Sequence, residues 1–321
     1  MELPPGKLRN EVLREIVFQN LGIEDAAVVY GPKEGFDSAV LEYDPGHYLI
    51  AATDPILGVP RETFGFFTYH FVSSDVAVFG ARPRWLVVDL LFPPRTSKEF
   101  LRDIMKDLND QCRFYGSTII GGHTGVYPSV SEPTATTTAM GIVRKDELKL
   151  PLAKPGDKIV VTAKVGLEFA VSAAYFKEDE LSKILSEKEL MRLKRSFYFE
   201  TAVPDALTAR PFVRGMHDAT EGGLTALHEI ADNSGVGFRV YAEKLDIDPL
   251  VKKILHFYEL EPWSVSSSGT LIAITPPEKS NELIIELIKN GILAFEVGEF
   301  TEEKERILVE NGEERPFPEF K

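Results

Sequence analysis

Asp37, Asp54, Asp75, His123 and Asp218 each stand where an apolar stretch gives way to a turn, and all are of types that bind cations or move protons. Asp75 lies in Ser73-Ser74-Asp75-Val76-Ala77-Val78-Phe79-Gly80-Ala81-Arg82-Pro83, where Gly and Pro stop a helix without a long polar loop. Its carboxylate is therefore placed beside packed structure, unless it occupies the solvent stripe of that helix. Strands predicted over 38–43 and 48–53 are joined by Asp44-Pro45-Gly46, a strong turn signal. Antiparallel pairing sets Asp37, just before the first, and Asp54, just after the second, at the same end of the hairpin. Two carboxylates brought together repel unless a proton or cation intervenes, and magnesium suits such a pair when phosphates complete its shell. Two solvated strand-end acids are the plainer alternative.

A second set of residues has the form of a ligand-binding turn. Gly121 and Gly122 follow a strand predicted over 117–120 and allow close backbone approach. His123 beside them can ligate a metal, pair with a phosphate or satisfy a backbone group. Met216-His217-Asp218-Ala219-Thr220-Glu221-Gly222-Gly223-Leu224 follows a short strand predicted over 212–214 and precedes a helix predicted over 224–234. Thr220, Gly222 and Gly223 keep that turn small, so its amides can face an anion. Asp218 and Glu221 are ill-suited to a bare phosphate, which points to a metal ion or a positioned proton. Gly6 and Lys7 open an amphipathic helix (Leu8, Val12, Leu13, Ile16, Val17, Leu21) expected to dock on the domain. They are a phosphate contact or simply a loop with a solvated lysine. The stretch 263–270 reads as a serine-rich turn.

The elements that must position these residues are legible in outline. A helix predicted over 61–79 carries an aromatic stripe expected in a core or a subunit interface, and another, capped by Ser97, runs to Tyr115 and stops at Gly116. Strands are predicted over 134–143 and 158–162, a helix over 168–176, a solvated charged stretch over 178–195, and a loosely ordered tail after Val309. Pro151 to Asp157 interrupts both periodicities and divides the chain into domains 1–150 and 151–321. With 321 residues and 44% hydrophobic content the chain can bury a sizeable core. A net charge of −14 argues against general nucleic-acid binding. No apolar run reaches the roughly 18 residues of a membrane span, and the amino terminus lacks a signal-peptide pattern, so a soluble cytoplasmic protein is expected. The single cysteine, Cys112, excludes a disulfide framework and reads as a packing thiol.

Read in order, Gly35 to Val40, Ala52-Thr53-Asp54, Ser74 to Pro83, Gly121 to Thr124, Pro155-Gly156-Asp157 and Asp218 to Leu224 resemble the aminoimidazole-ribonucleotide synthetase-like superfamily over nearly the whole chain. With Glu261 to Gly269, the sequence most resembles the hydrogenase expression/formation (HypE) branch. The resemblance implies a two-domain α/β fold, an amino-terminal sheet paired across a homodimer, and ATP held with magnesium between the domains. It implies metal ligation by Asp37, Asp54, Asp75 and Glu221, and catalytic roles for Asp75, Asp218 and His123. Nucleotide contacts would come from Gly6, Lys7, Asp54, Gly121, Gly122, Thr220, Gly222 and Gly223. His123 departs from the acid usual after the paired glycines, and Glu221 resembles the second acid of that loop in thiamine-monophosphate kinase. The branch also carries a terminal cysteine, whereas this sequence ends Pro318-Glu319-Phe320-Lys321, so chemistry on a tail thiol is not expected. The expectation is an ATP-dependent enzyme that activates or phosphorylates an oxygen or nitrogen group of an unidentified substrate. Its alternative is a non-catalytic nucleotide-binding scaffold serving a metalloenzyme maturation partner.

Overall fold

Thr134 to Arg144 alternates buried and more exposed side chains along eleven residues, as a strand covered on one face must. It is the sixth strand of a computed structural model that describes Leu3, Leu8 and residues 10–319. The first six strands are β1 (Val28–Tyr30), β2 (Ala39–Asp44), β3 (His47–Ile56), β4 (Arg82–Phe92), β5 (Thr118–Val126) and β6 (Thr134–Arg144). They form one sheet in the order β1-β2-β3-β6-β4-β5, antiparallel except for the β4–β5 pair. The predicted hairpin is β2–β3, with Ala39 opposite Ala51, so Asp37 and Asp54 do lie together away from the turn, but Asp54 does not follow the strand: β3 runs through it to Ile56, and Asp54 pairs with Thr137 of β6.

Helices follow the same logic. After a short α1 (Asn10–Val12), α2 (Phe64–Val78) is apolar all round, and every residue of it except Phe71 is buried. It lies between the first sheet and the second half of the chain, so Asp75 has no solvent stripe to occupy. α3 (Lys98–Tyr115) is amphipathic, capped by Ser97 and ended by Gly116; its Cys112 is buried and free, and burial pushes the thiol up to about 11. Then come α4 (Leu167–Phe176), α5 (Glu178–Leu181), α6 (Glu187–Arg195), α7 (Val203–Ala209), α8 (Ala226–Ser234), α9 (Pro249–Phe257) and α10 (Ser280–Lys289). Among the described residues no helix is long and apolar enough to cross a membrane.

The second sheet comprises β7 (Lys158–Thr162), β8 (Gly215–Asp218), β9 (Gly237–Tyr241), β10 (Leu271–Thr275), β11 (Ala294–Thr301), β12 (Arg306–Glu310) and β13 (Glu313–Pro316). Its order is β13-β12-β9-β11-β7-β10-β8, with only β9 and β12 parallel. The chain is thus a mixed α/β protein with two sheets.

Several sequence expectations are corrected. The amino-terminal segment is helical over Asn10–Val12 and continues as a π-helix over Leu13–Val17, but these eight residues bury none of their side chains; Ile16 and Leu21 stay exposed, and Arg14 pairs with Glu34. β5 does not end at the paired glycines but runs through them, because Gly122 at φ 143° lets β5 close on β4. A Cβ there would lie 1.9 Å from the Val88 carbonyl oxygen. The strand expected over 212–214 forms instead over Gly215–Asp218, although the Arg214 amide already donates to Ile274 O of β10 at 2.8 Å. Finally, the tail after Val309 is the β12–β13 hairpin, turned by Asn311-Gly312 at positive φ, and Phe317 beyond it is buried against Phe238 and Trp263.

Candidate active site

The Asp37–Asp54 end of the β2–β3 hairpin, the last turn of α2 and the end of β8 meet at one cleft of about 630 Å³ between the two halves of the chain. Asp37, Asp54, Asp75, Asp218, Thr220 and Glu221 all line it. The anchoring is specific: Ser38 Oγ donates to the Asp75 carbonyl at 3.1 Å, and Ser74 Oγ accepts the Ala202 amide at 3.1 Å. The hairpin, the helix and the second half therefore hold one another in place.

The electrostatic consequence is large. Burial raises the Asp75 carboxyl well above the usual range, and Asp54, Asp218 and Asp37 raise it further, as does a hydrogen bond shared with Asp54. Its place in the last turn of a helix adds an adverse dipole. Asp218 is pushed up to about 7, by burial first and then by Asp37. Among the described residues its buried Oδ2 has no hydrogen-bond partner. Such an array suits a hard cation with oxygen ligands, and Asp218 Oδ2 is a lone pair in need of one.

His217, which the sequence reading left aside, stands behind these acids. Its Nε2 lies 3.6 Å from both Asp37 Oδ2 and Glu229 Oε2, and its Nδ1 lies 2.6 Å from the Asp218 carbonyl oxygen. Burial alone would lower it, but Asp37, Glu229 and Asp218 raise it to about 10. One atom each of Asp37, His217 and Asp218 lie within 4.8 Å of one another, as a metal site requires. An imidazolium has no lone pair to offer, however, so at neutral pH His217 acts as a counter-charge to the acids.

The remaining sequence candidates are distributed differently. Gly121, Gly122 and His123 lie on β5, the sheet edge, and His123 Nε2 meets the Tyr127 hydroxyl at 2.5 Å; none of the three lines the cleft. Gly222 and Gly223 do not line the cleft, and the Gly223 amide donates to Thr220 O at 3.1 Å. Gly6 and Lys7 lie outside the described residues. Sequence reasoning missed Glu168 and Glu200, which also line the cleft, with Ser172, Ser268 and Gly269. Glu168 Oε2 accepts from Ser266 Oγ and, at 2.9 Å, from the Ser268 amide, so the serine-rich turn is a brace for an acid. The only signal for Glu200 was its place between aromatic Phe199 and Thr201, which does not announce a buried acid.

Residues 35–143 match the N-terminal domain, and residues 154–310 the C-terminal domain, of AIR synthase related protein. MJ0676 of Methanocaldococcus jannaschii, named for hydrogenase expression and formation, is 25% identical over 319 residues, covering 95% of this chain and 91% of that protein. The carbamoyl dehydratase HypE of Azotobacter vinelandii is 27% identical over 260 residues, covering 77% of this chain and 73% of that one. Among solved structures, HypE in a HypE–HypF complex superposes with a TM-score of 0.76 at 19% identity, covering 96% of this chain and 99% of that one. HypE in complex with ATP gives 0.72 at 18% identity, covering 99% and 96%. At these identities the structural likeness is one of fold.

Proposed function

The chain belongs to the AIR synthase related family, and on that premise we propose that it binds ATP with magnesium in the cleft and uses it to activate or phosphorylate an oxygen or nitrogen group of a small molecule or protein. One observation carries the reading: acids from both halves line a single cleft, where among the described residues the buried Asp218 Oδ2 has no hydrogen-bond partner. Crowded carboxylates without a cation are costly, and clustered carboxylates with a divalent ion suffice for phosphoryl transfer, in which positioning and charge neutralisation do most of the work. Asp37, Asp54, Asp75 and Glu221 would hold magnesium, which when bound neutralises phosphate charge. Asp75, whose carboxyl burial and the neighbouring acids raise, and Asp218, pushed up to about 7, are suited to keep or pass a proton at the acceptor. Thr220, at the cleft, is the nucleotide contact of the second half.

The relatives' names support the class of chemistry: one is a carbamoyl dehydratase, and a neighbour in fold binds ATP. A maturation partner is proposed on the likeness to a protein found in a HypE–HypF complex. Residues 1–150 and 151–321 are proposed as the two domains that close on the nucleotide. A homodimer through β5 is proposed because that strand is an open sheet edge, exposed along most of its length.

A second reading, a nucleotide-binding scaffold without turnover, is favoured by His123, which is bonded to Tyr127 and stands outside the cleft lining. Calorimetry with ATP and ATP consumption by the wild type, Asp75→Asn and His123→Asp separate the two. Consumption lost in Asp75→Asn supports the enzyme; a wild type that binds ATP without consuming it, with hydrolysis gained in His123→Asp, supports the scaffold. No heat with ATP, with or without magnesium, sinks both.

A further inference from the structure

The cleft lining also holds acids that the aspartates do not explain. Glu200 is 2% exposed, and among the described residues its buried Oε1 has no hydrogen-bond partner although the side chain lines the cleft. A buried polar atom left unmade costs on the order of 1–3 kcal/mol, so its retention calls for a use.

Its position is heavily determined. Gly269, at φ 86°, lets the serine turn close directly on this backbone; a Cβ there would lie 2.7 Å from Glu200 Cα and 2.3 Å from the Thr201 nitrogen. On the far side Thr201 Oγ1 is bonded to His70 Nδ1 at 2.7 Å. Glu168 is fixed by Ser266 and Ser268, leaving Glu200 as the acid of the two with an oxygen still to be satisfied. Phe67, Phe71 and Val171 form the apolar stretch of the lining.

The charge of the lining narrows what can approach. Among the described residues every ionisable side chain that lines the cleft is acidic; no lysine, arginine or histidine does. A phosphate or carboxylate brought beside Glu168 and Glu200 would meet acidic side chains with no basic side chain of the lining to offset them.

We infer that Glu200 is the residue against which the acceptor of the ATP-dependent reaction docks, and that the acceptor presents there an uncharged or cationic hydrogen-bonding group, never a phosphate or carboxylate. The inference rests on the reading that nucleotide binds at the aspartates. Burial, with Glu168 adding to it, raises the Glu200 carboxyl well above the usual range; in its protonated form it presents an O–H donor and a carbonyl acceptor to a neutral group, and as a carboxylate it accepts from a neutral or cationic donor. An anion could satisfy only the O–H donor and would pay for the neighbouring acid.

The test uses small probes, without nucleotide, on the full-length wild type and on Glu200→Leu and Glu200→Gln. Acetamide, ethylamine, acetate and methyl phosphate are each titrated and followed by ligand-observed NMR, with thermal melting to confirm folding. Acetamide or ethylamine is expected to bind the wild type in preference to both anions. Glu200→Leu is expected to weaken this binding by about tenfold, the loss of one to two hydrogen bonds. Glu200→Gln, which keeps a donor and an acceptor, is expected to retain acetamide. Anions binding as well as acetamide, no probe binding, or acetamide binding unchanged in Glu200→Leu overturns the inference. Failure of the nucleotide reading would show separately, as absent heat in the ATP titration.

Discussion

Asp75 is a side chain costly to the fold, and the proposed site gives it a use. Its carboxyl is raised by burial and by three neighbouring acids, so the folded state binds a proton that the unfolded chain releases above about pH 4. Stability contributed by this residue therefore falls as pH rises through and beyond that point. Asp75→Asn removes the penalty: the ligand-free protein is expected to gain about 1–2 kcal/mol at pH 8 and less at pH 5. Urea unfolding at the two pH values checks this, and magnesium-dependent ATP binding by the same variant is expected to weaken at least about tenfold. Asp218 makes a second prediction. Because it is pushed up to about 7 beside the proposed metal ligands, the positive charge of metal-bound nucleotide is expected to lower it and release its proton, so affinity is expected to rise between pH 6 and 8. Calorimetry in two buffers of different ionisation enthalpy measures that release; none at pH 6.5 counts against Asp218 as a ligand or proton holder.

At the scale of elements, α2 is joined to the second half by a buried histidine. His70 Nε2–H donates to Gln111 Oε1 at 3.0 Å, and its Nδ1 accepts from the Thr201 hydroxyl at 2.7 Å, while Thr201 Oγ1 accepts the Val203 amide. Burial lowers His70 to about 3, so below its ordinary value of 6.5 the unfolded state binds a proton that the folded state refuses. Stability is then lost as pH falls through the window from 6.5 toward 3, by up to about 1.4 kcal/mol per pH unit. His70→Gln is expected to flatten that slope by one proton, read from denaturant midpoints at successive pH values. Gly122 carries the corresponding constraint in the first sheet. With a Cβ placed 1.9 Å from Val88 O, Gly122→Ala cannot keep the β4–β5 pairing and is expected to cost about 2–4 kcal/mol.

At the scale of the whole molecule the open edge at β5 matters most. Light scattering on a size-exclusion column is expected to report twice the 35.8 kDa chain mass. A monomer at micromolar concentration would remove the dimer and leave the edge to be covered by another partner. Because the cleft draws acids from both halves, magnesium with ATP is expected to raise the melting temperature of the two halves together. Two separate transitions in a calorimetric scan would show the nucleotide stabilising one half alone.

Local sequence was enough to place Asp37 and Asp54 together, since a hairpin with a strong turn and an antiparallel register leaves one outcome. It also identified α3 by its cap and terminal glycine, and the burial of Cys112. The order of family-like segments supplied the α/β architecture. What it did not determine has a common physical cause. The burial of α2 on every side, the meeting of Asp75 with Asp218, and the pairing of Glu168 with the serine turn arise between residues far apart in the chain, and no local period records them. His217 and Glu200 look unremarkable in sequence because their protonation is set by neighbours contributed by other elements. The amino-terminal segment shows the converse: its helical period was visible, but a period specifies a face without supplying a surface to bury it against. Tertiary packing decided both, since desolvation and Coulomb interaction depend on distance in space and the sequence orders residues only along the chain.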